Sequence, residues 1–285
     1  MKGEPQVMGV VNVTPDSFSD GGQFLDAAAA IAHGRDLLGE GADIVDIGGE
    51  STRPGAEAVG ADEEAARVLP VIEALAGDGA RVSIDTSKAE VAARAVDAGA
   101  TIVNDVTALG DPEMGGLVAD RGVELVLMHM QGSPRTMQED PTYDDVVDDV
   151  KAFLAERVEV AVAAGVKEER IWVDPGIGFG KTVDHNLQLL RRLGELLDLG
   201  RPILVGTSRK SFLGKLSGAP VDQRLGGTIA TCVIAIANGA AALRVHDVAP
   251  VREALAIEAA ILDPETAAAV SDDRPRILKG WTAPG

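Results

Sequence analysis

Residues 82–105 read VSIDTSKAEVAARAVDAGATIVND. The first four residues are a short apolar run ending in Asp85, and the last four are a second one ending in Asn104 and Asp105. Between them lies the alanine-rich stretch EVAARAVDAGA. A near-continuous apolar run suits a strand covered on both faces. The alanine content and closing glycine suit a helix and its end. Working outward, the same alternation recurs about eight times along the chain, the mark of βα units building a parallel sheet. The predicted strands are 7–13, 44–48, 82–85, 102–105, 125–129, 171–174, 203–206 and 243–246. Helical patterns between them include AAAAIAHGRDLLGEG, EEAARVLPVIEALAG, VVDDVKAFLAERVEVAVAAG and GTIATCVIAIANGA. Unbroken repetition favours a single-domain (β/α)8 TIM barrel over a doubly wound sheet, although periodicity alone leaves the latter open. The barrel is assigned to residues 1–262 of the 285, and such folds take about 250 residues. Residues 263–285, DPETAAAVSDDRPRILKGWTAPG, show no period and are read as a C-terminal tail that Trp281 can anchor.

The placement of polar residues locates a site. Strand after strand ends in one: Asn12, Asp46, Asp85, Asn104 with Asp105, His129, Asp174, and Arg244 with His246. The C-terminal rim of a barrel is where side chains from distant parts of the sequence meet to form an active site. Taken singly, any of these can be a helix cap or a strand end meeting solvent. As a set, they argue for one polar mouth.

Composition narrows the possible ligands. A net charge of −19 and a pI near 4.5 exclude nucleic acid as a natural partner, because phosphates select basic surfaces. An anionic small substrate stays possible where local cations overrule the global field. The single cysteine, Cys232, sits in the apolar run TIATCVIAIA, which rules out a disulfide framework or a cysteine zinc cluster within the chain and suits a core residue. The opening MKGEPQVMGVVNVT has no long apolar segment before a small-residue cleavage site, so a cytoplasmic location is expected.

Two loops carry the clearest chemistry. The first strand runs into NVTPDSFSDGG and the second into DIGGESTRPGA, both longer than a βα connection requires, and long loops in compact domains are usually lids or binding loops. GVVNVTPDSFSDGG and DIGGESTRPGA resemble the signature segments of the dihydropteroate synthases. The resemblance continues through SIDTSKAEVA, GATIVNDV, LMHMQGSPRTMQ, DPGIGFGKT, VGTSRKSFLG and LRVHDV, in that family's order, over about residues 7–262.

The resemblance implies an enzyme of folate synthesis that joins 6-hydroxymethyl-7,8-dihydropterin pyrophosphate to p-aminobenzoate, a sulfonamide target and a homodimer. It implies that Asp85, Asn104, Met128, Asp174 and Lys210 hold the pterin. A carboxylate such as Asp174 can face the ring's amino and N–H groups, and an amide such as Asn104 offers both a donor and an acceptor. Met128 would pack against the ring, with core filler as the other reading. Pyrophosphate would be held by Asn12, Thr52, Arg244 and His246, and Asn12 would be the protein ligand to Mg2+. Phe18, Thr52, Arg53, Pro54, Phe179 and Ser208 would surround p-aminobenzoate. Asp85 and Lys210 would be catalytic, the first steadying positive charge on the pterin methylene and the second orienting the ring. A corrinoid-type pterin methyltransferase domain, a Schiff-base aldolase using Lys210, and a silent paralogue that only binds pterin are the alternatives. The joint presence of STRPG, TSRKSF and RVHDV speaks against the first. The loop setting of Lys210 speaks against the second, and the intact key positions against the third.

Overall fold

The structure is a computed structural model that describes residues 4–14, 23–51, 59–133 and 136–262. Strands and helices alternate in the order β1 (Gln6–Asn12), α1 (Gln23–Gly39), β2 (Ile44–Gly48), α2 (Ala61–Gly77), β3 (Val82–Asp85), α3 (Ala89–Asp97), β4 (Ile102–Asp105) and α4 (Met114–Arg121). They continue with β5 (Glu124–Met128), α5 (Val146–Ala163), β6 (Ile171–Asp174), α6 (Val183–Arg191), β7 (Leu204–Val205), α7 (Ser211–Ser217), α8 (Leu225–Ala237), β8 (Ala242–Val245) and α9 (Val248–Leu262). All strand pairs are parallel, in the order β6-β5-β4-β3-β2-β1-β8-β7. A bridge between Val173 and Ile203 brings β6 against β7 and closes the ring. The fold is the expected (β/α)8 barrel. The tail at 263–285, with Trp281, lies outside the described residues.

Strand periodicity separates two cores. Outward-facing Val7, Val45, Ile47, Val82, Ile84, Val103, Leu125, Leu127, Val173 and Val245 pack against the helices in one large cluster. Inward-facing Met8, Ile44, Ile102, Val126, Leu204 and Ala242 fill the barrel, with Trp172 packed against them. Each large apolar side chain so buried contributes roughly 1.5–3 kcal/mol, so the inner plug fixes the strand register on which the rim depends. Residues two positions further along a strand point the same way. Asp46, Asn104, Met128, Asp174, Gly206 and Arg244 therefore stand one layer above the plug, and Asp85 stands above Ser83.

Below the plug a polar network closes the other end. Arg81 Nη1 donates to Gln6 Oε1 at 2.8 Å and its Nη2 to Glu124 Oε1 at 2.5 Å, while Trp172 Nε1 donates to Glu124 Oε2 at 2.7 Å. The helices that flank the site are capped by residues the sequence supplies locally. Asp145 accepts from the Val147 and Asp148 amides at the start of α5, and Thr182 forms a capping box with His185 at the start of α6. Among the described residues, no helix is long and apolar enough to cross a membrane.

Candidate active site

The rim is organised by Arg244 at the end of β8. Its Nε donates to Asp46 Oδ2 at 2.6 Å and its Nη2 to Asp85 Oδ2 at 2.7 Å, so one guanidinium joins β8 to β2 and β3. Burial opposes the charge on Arg244, but Asp46 and Asp85 reverse the balance and hold its pKa above the ordinary value. Asp46 is fully buried and also accepts from Asn104 Nδ2 at 3.1 Å. Arg244 Nε donates to the same oxygen, so Asp46 Oδ2 is an acceptor and the contact is assigned to the amide's NH2. Asn104 Oδ1 is then left buried and without a partner among the described residues. The sequence expectation was an amide offering donor and acceptor alike; with its NH2 engaged by Asp46, Asn104 presents chiefly its acceptor.

Asp85, Asn104, Met128, Asp174, Phe179, Ser208, Lys210, Arg244 and His246 line one cleft, together with Val106, Gly176, Ile177 and Gly206. Asp174 Oδ1 accepts from the Gly176 amide at 2.7 Å. Gly176 has φ +64, and a Cβ there would lie 1.8 Å from the His129 carbonyl oxygen, so only glycine can make this turn. Burial pushes the Asp174 carboxyl up to about 6, against the pull of the Gly176 N–H and Lys210. Asp85 is raised to about 7, chiefly by burial, with Arg244 pulling down and Asp46 and Glu64 pushing up. Burial, with Arg244 nearby, lowers the Lys210 amine to about 7, while Asp174 and Asp85 oppose the fall. Burial thus raises two carboxyls and lowers an amine inside one cleft, a pattern that clusters at functional sites.

Lys210 occupies the residue before α7 and stands with its Nζ 3.8 Å from the centroid of the Phe179 ring, a cation–π contact. His246 Nδ1 lies 3.0 Å from Ser208 Oγ, and the His246 amide donates to the same oxygen at 3.2 Å. Burial and the neighbouring Arg244 depress His246 to about 3, so its ring is neutral at pH 7. Arg209, in the left-handed region at φ 57, turns outward to Asp247 at 2.5 Å.

Not every expected residue meets this cleft. Asn12 ends β1 at the same rim, opposite Gly48, but is not among the lining residues. Phe18, Thr52, Arg53 and Pro54 lie outside the described residues. The chain on either side of 52–58 is tied down, because Glu50 accepts from the Val59 amide at 3.0 Å and pairs with Lys88, which also pairs with buried Glu64. Among the described residues, no group of three or more His, Cys, Asp or Glu is placed to hold a metal.

Sequence reading placed Asp46 and His129 at strand ends without giving them partners, and did not single out Lys181. Asp46 was visible as a strand-end carboxylate two residues beyond inward-facing Ile44, but its partners are set by the barrel. Lys181 and His129 form a buried pair behind the cleft, with Lys181 Nζ 2.8 Å from His129 Nδ1. Burial lowers His129 to about 3 and Lys181 to about 7.

Comparison with known proteins places this architecture. The family model described as "Pterin binding enzyme" matches residues 8–246. The dihydropteroate synthase of Haemophilus influenzae is 47% identical over 254 residues, covering 89% of this chain and 92% of that protein. The chain belongs to the dihydropteroate synthase family of pterin-binding enzymes. The Xanthomonas albilineans dihydropteroate synthase solved with 4-aminobenzoic acid superposes with a TM-score of 0.86 at 50% identity, over 91% of this chain and 93% of that one. The same enzyme in complex with 7,8-dihydropteroate gives 0.84 at 47% identity, over 92% and 95% of the two chains. The family's order of motifs and the barrel rim thus coincide.

Proposed function

We infer that this chain condenses 6-hydroxymethyl-7,8-dihydropterin pyrophosphate with p-aminobenzoate, giving 7,8-dihydropteroate and pyrophosphate. The observation that carries the reading is the single cleft lined by Asp85, Asn104, Asp174, Lys210, Arg244 and His246, in a chain nearly half identical to synthases solved with the amine and the product.

In this reading the pterin lies in the slot between Met128, Ile177 and Val106. Asp174 faces the amino and ring N–H edge, and the unpartnered Asn104 Oδ1 accepts from the ring, since leaving that oxygen unmatched costs about 1–3 kcal/mol. Lys210 donates to the ring carbonyl or nitrogen. Arg244, His246 and Ser208 face the pyrophosphate. The reaction is substitution at the methylene: the carbon–oxygen bond to pyrophosphate breaks, the aryl nitrogen forms a bond to that carbon, and the nitrogen loses a proton. Asp85, close to Arg244, steadies positive charge developing at the methylene, and catalysis is positioning plus electrostatics without a covalent enzyme intermediate. Phe179 and Ser208 take one side of the aryl amine, with Phe18, Thr52, Arg53 and Pro54 assigned to the remaining walls and Thr52 also to pyrophosphate.

Mg2+ fits this donor set only as a companion of the substrate. Asn12 supplies one amide oxygen at the rim, and Mg2+ characteristically combines few protein ligands with phosphate oxygens and waters. When bound there, it would neutralise the leaving pyrophosphate. A homodimer and a cytoplasmic location complete the proposal. Supporting the dimer, α8 reads LGGTIATCVIAIA without a charged residue, although it is an outer helix with Ile234 47% exposed. Nearby Leu216 and Val221 are each 56% exposed. Supporting the location, the one cysteine is buried and unpaired.

Purified protein incubated with dihydropterin pyrophosphate, p-aminobenzoate and Mg2+ is expected to form dihydropteroate. Pyrophosphate release should depend on the amine, and sulfonamides should compete with it. No product, or release indifferent to the amine, overturns the reading.

A further inference from the structure

Behind the cleft, Lys181 is a buried cation held without an ion pair among the described residues. Its side chain is 3% exposed, and no carboxylate lies within ion-pair distance of it among the described residues. Its Nζ instead faces three neutral acceptors: His129 Nδ1 at 2.8 Å, the Phe179 carbonyl at 2.9 Å and the His129 carbonyl at 3.4 Å. An ammonium has three donors and no acceptor, so this nest matches it atom for atom. Burying an amine costs several kcal/mol even when hydrogen-bonded, and a methionine of similar length would fill the space at no such cost. Packing alone therefore does not account for a lysine here.

The atoms it holds point to its use. His129 follows β5, and its amide donates to the Asp174 carbonyl at 2.9 Å. Its ring is held edge-on to Phe153 at 4.9 Å. Phe179 belongs to the turn between β6 and α6, whose Gly178 carbonyl accepts from Gln138 Nε2 at 2.7 Å and whose Gly180 carbonyl accepts from the Tyr143 hydroxyl at 2.6 Å. Lys181 is the member of this set that reaches the Phe179 carbonyl, and the Phe179 ring is the surface beneath the Lys210 amine. The same turn backs the Lys210 stem, since a Cβ on Gly178 would lie 2.9 Å from Lys210 Cδ.

We propose that Lys181 is a positioning residue of the reaction: by tying the Phe179 carbonyl to His129 it sets the Phe179 ring that forms one wall for the aryl amine and a rest for Lys210. This rests on the reading of Phe179 as a wall for the second substrate. Lys181 touches neither substrate, so its effect passes through Phe179.

The test is a steady-state double-mutant cycle with both substrates varied. Lys181→Met is expected to raise KM for p-aminobenzoate about tenfold while KM for the pterin pyrophosphate stays within about twofold. Phe179→Ala raises the same KM, and adding Lys181→Met to it has little further effect, because residues acting through one another are not additive. Lys181→Gln, which keeps an amide donor for the Phe179 carbonyl, recovers part of the loss. Unchanged kinetics, an equal rise in both KM values, or full additivity with Phe179→Ala overturns the assignment. If Lys181→Met fails to fold, Lys181→Gln is read by the same criteria, and failure of both to fold makes Lys181 merely structural. Wild-type protein in the same assay separates the two ideas: inactivity there removes the proposed reaction, whereas normal turnover with indifferent variants removes only the role of Lys181.

Discussion

Each end of the barrel carries an arginine held by carboxylate, Arg81 by Glu124 at the floor and Arg244 by Asp46 and Asp85 at the rim, and the two networks differ in what they leave over. At the floor, Arg81, Gln6, Glu124 and Trp172 satisfy one another, and both oxygens of Glu124 have partners. At the rim, Arg244 is shared by Asp46 and Asp85, yet Asp46 Oδ1, Ser83 Oγ and Asn104 Oδ1 remain buried and unpartnered among the described residues. A buried polar atom without a partner costs about 1–3 kcal/mol, so Asp46 Oδ1 and Asn104 Oδ1 in the rim layer are a deficit that a ligand can relieve. The floor is built to hold a shape, and the rim is built to hold something else.

The comparison can be broken by mutation. The largest effect is expected from Lys210→Ala, which removes the rim's contact over Phe179 and should lower kcat/KM by about 10³-fold in a two-substrate assay. Near-normal turnover would mean that the rim's charge is as passive as the floor's. Asp46→Ala is expected to cost about 10²-fold in kcat/KM, because Arg244 and Asn104 lose the group that aims them. A loss confined to the melting temperature would reduce Asp46 to scaffolding. The converse holds at the floor, where Glu124→Ala leaves Trp172 Nε1 without its acceptor and Arg81 with Gln6 alone. That should lower unfolding stability by about 1–2 kcal/mol, discounted because the pair is partly exposed, with kcat/KM within about twofold of wild type.

Acid should expose a further asymmetry within the rim. The folded-state pKa of His129 is depressed to about 3 from the ordinary 6.5. Between those values the unfolded chain binds a proton that the folded chain does not, so stability is present above pH 6.5 and is lost as pH falls toward 3. The loss from His129 is about 1.4 kcal/mol per pH unit across that window. Urea unfolding at a series of pH values should therefore show a shallower acid slope in His129→Gln than in wild type, and parallel slopes would remove His129 from the account.

Much of this was legible in the chain. The strands at 44–48, 82–85, 102–105 and 171–174 coincide with the observed ones, because fully buried runs of Val and Ile end at polar residues that mark the rim. Those expected at 7–13, 125–129 and 243–246 begin and end one residue earlier in the structure. The last strand before α7, expected at 203–206, shortens to Leu204–Val205. Pro202 has no N–H to give a ladder, and Ile203 contributes only a bridge. The cleft's lining was legible for the same reason as the strands, since Asp85, Asn104, Asp174 and Arg244 all sit at apolar-to-polar boundaries. Asp46's role, the floor network and the Lys181 nest were not. Their partners are 198, 43 and 52 residues apart in sequence, and only the closed register brings them together.

The seam between β6 and β7 has one further implication. The sheet is continuous except where Val173 meets Ile203, and the two loops on either side of that join carry Phe179 and Lys181 on one and Ser208 and Lys210 on the other. A hoop that is weakest at one point flexes there first. The gap between the aromatic wall and the lysine that rests on it is thus spanned by the barrel's least-bonded stave.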